Sequence, residues 1–251
     1  MKNCDDNFYR KSSKKFKKYE FHGKNKLIAG EKPDFFKYLK GFKNKNFKVL
    51  DLGCGSGELT IKLSPFFKKI IGIDPFVDYI KTARELKKVT GNKRVVFKIA
   101  DGKNLPFKGE CFDIVISSRG PLSANIDILK EGKRVLKEGG LMIEETIGEE
   151  DKIELKRIFG RGQNYPVQGI KIESVKKLLR QSGIKFINAE YFKFYQIYSS
   201  INDVIEILER APIIPDFDKT KDKVHIEEVD KKLNNGGIKL SAHRLFWVAK
   251  K

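Results

Sequence analysis

Val49-Leu-Asp-Leu-Gly-Cys-Gly-Ser-Gly-Glu-Leu-Thr60 runs from an apolar strand through three alternating glycines into a helix. A glycine turn at such a junction lets a ligand approach the backbone with no side chain in the way. The spacing is Gly53-x-Gly55-x-Gly57, with Asp51 two residues upstream of the first glycine. A dinucleotide fingerprint needs its third glycine three positions after the second, and Glu58 stands there. No Gly-Lys-Ser/Thr follows, so the loop is not a phosphate-binding P-loop either. Taken alone, the glycines leave a bare tight turn open.

Outward from this loop the chain alternates. Residues 47–52, 69–74, 94–100, 112–117 and 141–144 are short apolar runs that read as strands. Between them 59–67, 77–89 and 126–136 carry helical spacing, the last closed by Gly139 and Gly140. Strands alternating with helices at these intervals predict a parallel sheet covered on both faces. Near-continuous apolar strands are what double coverage requires. Upstream, 32–42 reads as a helix with Pro33 near its start. Downstream the pattern loosens: helices at 149–159, 171–181 and 202–210, and strands at 184–194 and 245–249.

The Asp-x-Gly-x-Gly-x-Gly pattern from Asp51 to Gly57 resembles the first motif of the class I S-adenosylmethionine-dependent methyltransferases. Further segments are similar in the same order: Asp74 at the end of the second strand, Asp101-Gly102 with Leu105-Pro106-Phe107, Phe112 to Ser117, and Val135 to Leu141. The resemblance implies an α/β, doubly wound, seven-stranded, mostly parallel sheet with an antiparallel last strand and a C-terminal lid insertion. It implies S-adenosylmethionine as cofactor, with the loop residues Asp51, Gly53, Cys54, Gly55 and Gly57 around it. Asp74 and Pro75 would meet the ribose, Asp101 and Gly102 the adenine, and Ser117 the same crevice. A carboxylate at Asp74 suits two hydroxyl donors; its alternative is a helix N-cap before Phe76. Cys54 reads as a small loop residue, not a nucleophile.

The same resemblance divides the chain into a basic N-terminal arm, 1–46, and a methyltransferase domain, 47–251, with substrate-side insertions at 146–170 and 195–244. Ligands of open α/β sheets bind beyond the carboxyl ends of the strands. His243 and Arg244 would start the antiparallel strand at that edge, near Glu144 and Glu145. His243 is the candidate general base, with a structural histidine as its alternative, and Arg119 the candidate clamp for an acidic substrate. His22, His225, Arg161 and Tyr165 are weaker candidates. No Asp/Asn-Pro-Pro-aromatic tetrapeptide follows the fourth strand, where Ser117-Ser-Arg-Gly-Pro-Leu122 stands, and no cysteine pair suits 5-methylcytosine chemistry.

The 251 residues carry 52 Lys and Arg against 33 Asp and Glu, a formal charge of +19. Residues 1–48 hold 15 of the basic and 5 of the acidic side chains, interleaved with Phe and Tyr. That pattern admits RNA as a partner. Yet 42 of the cations are Lys and 10 are Arg, and phosphate and base recognition favour Arg, so solvated surface explains the charge equally well. A small-molecule acceptor is the leading expectation, RNA through residues 1–48 the alternative, and a non-catalytic binding module the third. Three scattered cysteines exclude a disulfide framework. No run approaches the roughly 18 apolar residues of a membrane span, no signal peptide is visible, and no metal-ligand spacing occurs. A cytoplasmic setting is expected.

Overall fold

The computed structural model describes residues 26–30, 34, 35, 39, 46–163, 165 and 170–251. The expected helix at 32–42, His22 and most of the basic arm lie outside the described residues.

The apolar runs become the centre of one sheet. Strands β2 (Lys48–Leu52), β3 (Lys69–Asp74), β4 (Val95–Ile99), β5 (Phe112–Ser118) and β6 (Leu136–Ile147) are all parallel. The last two long strands, β7 (Lys185–Tyr198) and β8 (Ile238–Lys250), pair antiparallel with each other, and β8 lies antiparallel against β6. A short β1 (Lys26–Ala29) adds to the outer edge of β7, giving, among the described residues, eight strands in the order β1-β7-β8-β6-β5-β2-β3-β4. The expected seven strands are therefore present, with an eighth from the arm.

Helices cover both faces, as βαβ connections dictate. Helices α1 (Glu58–Leu63) and α2 (Val77–Val89) share one core with Phe35, Leu39, Phe246 and Val248. Helices α3 (Ile126–Val135) and α5 (Ile172–Gln181) share the other with Leu245, Trp247 and Ala249. The alternation along β8 thus sends odd and even residues into different cores. Asn125 caps α3, its side chain accepting from the Asp127 and Ile128 N–H groups.

Beyond the carboxyl ends of the strands, α4 (Ile153–Phe159), α6 (Ile201–Arg210) and α7 (Lys223–Leu233) build a third, smaller core. Tyr198, Ile238 and Leu240, at the tips of β7 and β8, belong to it. Here several expectations are corrected. Because the β7–β8 hairpin pairs through to Tyr198 and Ile238, the connecting segment is 199–237 and not 195–244. The polar stretch before Asn234 contains α7, of which only Val229 is buried. The helix expected from 149 starts at Ile153, after a turn through left-handed Lys152. No helix of the described residues is long and apolar enough to cross a membrane.

Candidate active site

The glycine loop leaves β2 and is stitched to the end of β3: the Gly53 and Cys54 N–H groups both donate to the Ile73 carbonyl, at 2.9 and 3.0 Å. Gly57 needs both its backbone freedom and its missing side chain. Its φ is +82°, and a Cβ there would stand 2.5 Å from Cζ of Phe97. Gly55, at φ +50°, has no described residue within 4 Å of where its Cβ would be. The loop therefore closes against the protein at Gly57 and opens outward at Gly55.

Asp74 ends β3 beside this opening. Its Oδ2 accepts from Gly55 N–H at 3.1 Å and its Oδ1 from Phe76 N–H at 3.0 Å. Burial pushes its carboxyl up to about 6, against those two donors. Asp51 lies underneath, buried, accepting from the Thr60 hydroxyl at 2.6 Å. Burial raises it to about 7; Thr60 opposes this and the charge of Asp74 adds to it. Cys54 packs its sulfur towards Gly72, and burial, then Asp51 and Asp74, push its thiol well up. A thiol held protonated is no nucleophile.

Asp101 and Gly102 follow β4 on the same edge. Asp101 is exposed and accepts from Lys103 N–H at 2.9 Å, while Gly102 backs onto Ile128. The Leu105–Phe107 turn is pinned by α3: Glu131 accepts from Leu105 N–H, and Arg134 donates to the carbonyls of Leu105 and Phe107. Ser117 is fully buried and donates to the Leu52 carbonyl at 3.0 Å. Its side chain supports the loop from below.

Arg119 follows β5 in the left-handed region, φ +56°, its N–H on the Glu145 carbonyl. A Cβ at Gly53 would meet Pro121 at 3.2 Å, so the 119–121 turn lies against the glycine loop. The Arg119 side chain is exposed and makes no hydrogen bond or ion pair to any described residue.

His243 is corrected as a general base. Its Nδ1 accepts from Glu150 N–H at 3.2 Å, so the neutral ring carries its proton on Nε2, which is buried with no hydrogen-bond partner among the described residues. Neither nitrogen offers a lone pair to a substrate. Tyr191 covers the ring at 5.1 Å between centroids, and burial holds the imidazole below its usual value. Arg244 does reach Glu145, at 3.4 Å, and pairs with Asp151. Glu144, by contrast, is far from both in role: it accepts from the indole of Trp247 and from Ser123 N–H, each at 3.0 Å, and burial raises it to about 8. Arg161 is committed to Asp216 and Asp222 and ties the 160s loop to the segment after β7. His225 stacks on Phe159 at 5.0 Å, and Tyr165 bridges back to Gly162.

A buried charged group at Asp151, Lys152, Lys156 and Arg244 was not read from the sequence. One signal was available: Lys156 falls with Leu155 and Phe159 on the apolar stripe of α4, so a lysine shares the buried face of that helix.

Comparison with known proteins places this geometry among relatives. Residues 43–171, just over half the chain, match a family model described as a methyltransferase domain. A ubiquinone biosynthesis O-methyltransferase from Roseobacter denitrificans is 26% identical over 164 residues, 61% of this chain and 66% of that protein. A 27-O-demethylrifamycin SV methyltransferase from Amycolatopsis mediterranei is 27% identical over 154 residues, 57% of this chain and 56% of that one. The chain spans less than two thirds of the length of either. Among solved structures, the YcgJ protein of Bacillus subtilis superposes with a TM-score of 0.62 at 18% identity, covering 86% of this chain and 97% of that one.

Proposed function

This chain belongs to the family of S-adenosylmethionine-dependent methyltransferase domains, and we propose that it moves a methyl group from that cofactor to an oxygen or nitrogen of a small or medium-sized acceptor. When bound, S-adenosylmethionine supplies an electrophilic sulfonium methyl, and what remains for the protein is alignment and exclusion of water.

The residues at the carboxyl edge fit such a cofactor. Gly55 has open space before it, so an adenosine can lie against the backbone. Asp74 spends one oxygen on Gly55 and the other on Phe76, and a carboxylate keeps lone pairs for two more donors, which the ribose hydroxyls provide. Asp101 and Gly102 take the adenine end, with Pro75 along the wall. Asp51, Gly53, Cys54, Gly57 and Ser117 set the shape of the loop instead of reaching the ligand through their side chains.

The observation that carries a small acceptor is the third core. It seats α4, α6 and α7 directly on the tips of β7 and β8, which supports reading the connections that carry them, within 146–170 and 199–237, as substrate-side elements. Enclosed sites suit small ligands. The two curated relatives, named for ubiquinone biosynthesis and for 27-O-demethylrifamycin SV, support the same class. In this reading 47–251 is the catalytic domain and 1–46 an N-terminal addition to it.

The test is transfer of radiolabelled methyl from S-adenosylmethionine into an extract of cells lacking the gene, split into RNA, protein and small molecules. Label is expected among the small molecules. Label in RNA favours the basic arm as an RNA contact and overturns the small-acceptor reading. No label in any fraction favours a non-catalytic binding module.

A further inference from the structure

Ser117 of β5, Glu144 of β6 and Trp247 of β8 are register partners in neighbouring strands. Side chains paired in this way leave the sheet on the same face. All three are fully buried. Their face is the one covered by α3, where Leu52, Leu122 and Trp247 share a core. Ser117 and Glu144 therefore bring a hydroxyl and a carboxyl into an apolar layer.

Each of these polar groups is spent on the segment beside the glycine loop. The Ser117 hydroxyl donates to the carbonyl of Leu52, the last residue before Gly53, at 3.0 Å. Glu144 accepts the Ser123 N–H and the Trp247 indole N–H on the same oxygen, Oε2, each at 3.0 Å. The indole holds the carboxyl from one side while the carboxyl holds Ser123 from the other.

Ser123 belongs to a turn with little room to move. Leu122 is fully buried. A Cβ at Gly120 would run into the Ser117 hydroxyl and stand 2.7 Å from the Leu52 carbonyl oxygen, so the turn rides directly on the end of β2. Next to it, Pro121 Cδ lies 3.2 Å from where a Gly53 Cβ would stand. The turn from Gly120 to Ser123 is thus pressed between Glu144 and the first glycine of the loop.

Bulk alone does not explain an acid at 144, because an apolar side chain would fill that space at a lower desolvation cost. What the carboxyl adds is an acceptor for the Ser123 N–H. A backbone donor left unpaired beside this core would be expensive, and the turn would shift to satisfy it.

We infer that Glu144 is a positioning residue for methyl transfer: by accepting from Ser123 it seats the 120–123 turn against Gly53, and so sets where the glycine loop presents its backbone to the cofactor. The inference rests on the methyl-transfer reading for the identity of that ligand. Glu144 itself is sealed beneath the turn and acts through Ser123 and Pro121.

The experiment is calorimetric titration of S-adenosylhomocysteine into folded wild type and variants. Glu144→Leu removes the acceptor and should weaken binding roughly tenfold or more. Glu144→Gln keeps an acceptor oxygen and should restore affinity to within about twofold of wild type. Gly120→Ala lifts the same turn with Glu144 intact and should weaken binding as Glu144→Leu does. Val175→Ala, buried on α5 in the same core, should lower the melting temperature and leave affinity within about twofold, which separates positioning from loss of stability. Wild-type affinity in folded Glu144→Leu or Gly120→Ala overturns the inference, as does Glu144→Gln binding no better than Glu144→Leu. Should Glu144→Leu not fold, hydrogen exchange in the wild type carries the test. The Ser123 amide should gain protection on binding S-adenosylhomocysteine together with those of Gly53 and Cys54, and no gain at Ser123 overturns the inference. If S-adenosylhomocysteine does not bind the wild type, the methyl-transfer reading fails instead. Exchange at the Ser123 amide in the ligand-free wild type, Glu144→Gln and Glu144→Leu then still decides whether the acid holds the turn.

Discussion

The Thr60 hydroxyl donates to the Asp51 carboxylate at 2.6 Å, both side chains buried beneath the glycine loop. This bond ties the first turn of α1 to the end of β2 and limits how far burial raises Asp51, which lies at about 7. Thr60→Val keeps the shape and removes the donor. Stability at pH 8 should fall by roughly 1–3 kcal/mol, the cost of stranding a buried charged acceptor. At pH 5, where Asp51 is neutral, the loss should shrink. Urea melts at the two pH values measure this, and equal losses would contradict the assignment.

Three buried acids share a sign. Asp51, Asp74 and Glu144 titrate at about 7, 6 and 8 in the fold, against about 4 in an unfolded chain. The native state therefore binds more protons across this window, and stability without ligand falls as pH rises from 5 to 8. His243, held low, opposes them, so among the described residues the slope sets these three carboxyls against that histidine. Asp151, also held low, acts in the acid range: its contribution is present above pH 4 and lost below. Asp51→Asn should flatten the slope between pH 5 and 7. Stability that climbs steadily from pH 5 to 8 would be incompatible with these three carboxyls.

Trp247 is the only tryptophan in the chain, and its indole donates to Glu144 at 3.0 Å. Its fluorescence should therefore titrate with a midpoint near 8, following Glu144. Glu144→Gln matches the neutral carboxyl in shape, so it should abolish the titration while changing stability at pH 7 by less than about 1 kcal/mol. A midpoint that survives the substitution would assign it to another group.

Two glycines of one loop should fail differently. Gly57→Ala puts a methyl into the ring of Phe97 at a left-handed position, costing roughly 2–4 kcal/mol of stability. Gly55→Ala meets none of the described residues, so its stability cost should stay near about 1 kcal/mol of backbone strain. Its methyl stands in the opening, so it should lose most of its affinity for S-adenosylhomocysteine. Matched melts and calorimetric titrations separate the two. Loss of binding without loss of stability at Gly57 would reverse the orientation given to the loop.

What was legible in the sequence follows from how burial writes itself. Strands β2, β3, β5 and β6 are covered on both faces and read as apolar runs, so the loop between Leu52 and Glu58 was placed at once. The tips of β7 and β8 project beyond α5, with Tyr191, Lys193 and Tyr195 outward, and their mixed pattern hid four residues of β7 and seven of β8. Strand β1 has four residues and exists through its pairing with Tyr195 to Tyr198, a tertiary fact. Helix α7 carries only a narrow stripe, Ile226, Val229 and Leu233, of which Val229 alone is fully buried, and the charged residues around it hid the helix. Asp74 and Arg119 do stand at the strand ends where the sequence put them. Capture of the His243 acceptor nitrogen by Glu150 was not legible, because that depends on a turn 93 residues away.

The claim that the glycine loop and Asp74 form the cofactor site is tested most directly by calorimetric titration of S-adenosylhomocysteine into wild type and Asp74→Ala, with circular dichroism confirming that both are folded. The account predicts clear binding to the wild type and a loss of roughly tenfold or more in the variant, the worth of a buried pair of charge-assisted hydrogen bonds. Unchanged affinity in a folded Asp74→Ala protein would contradict it.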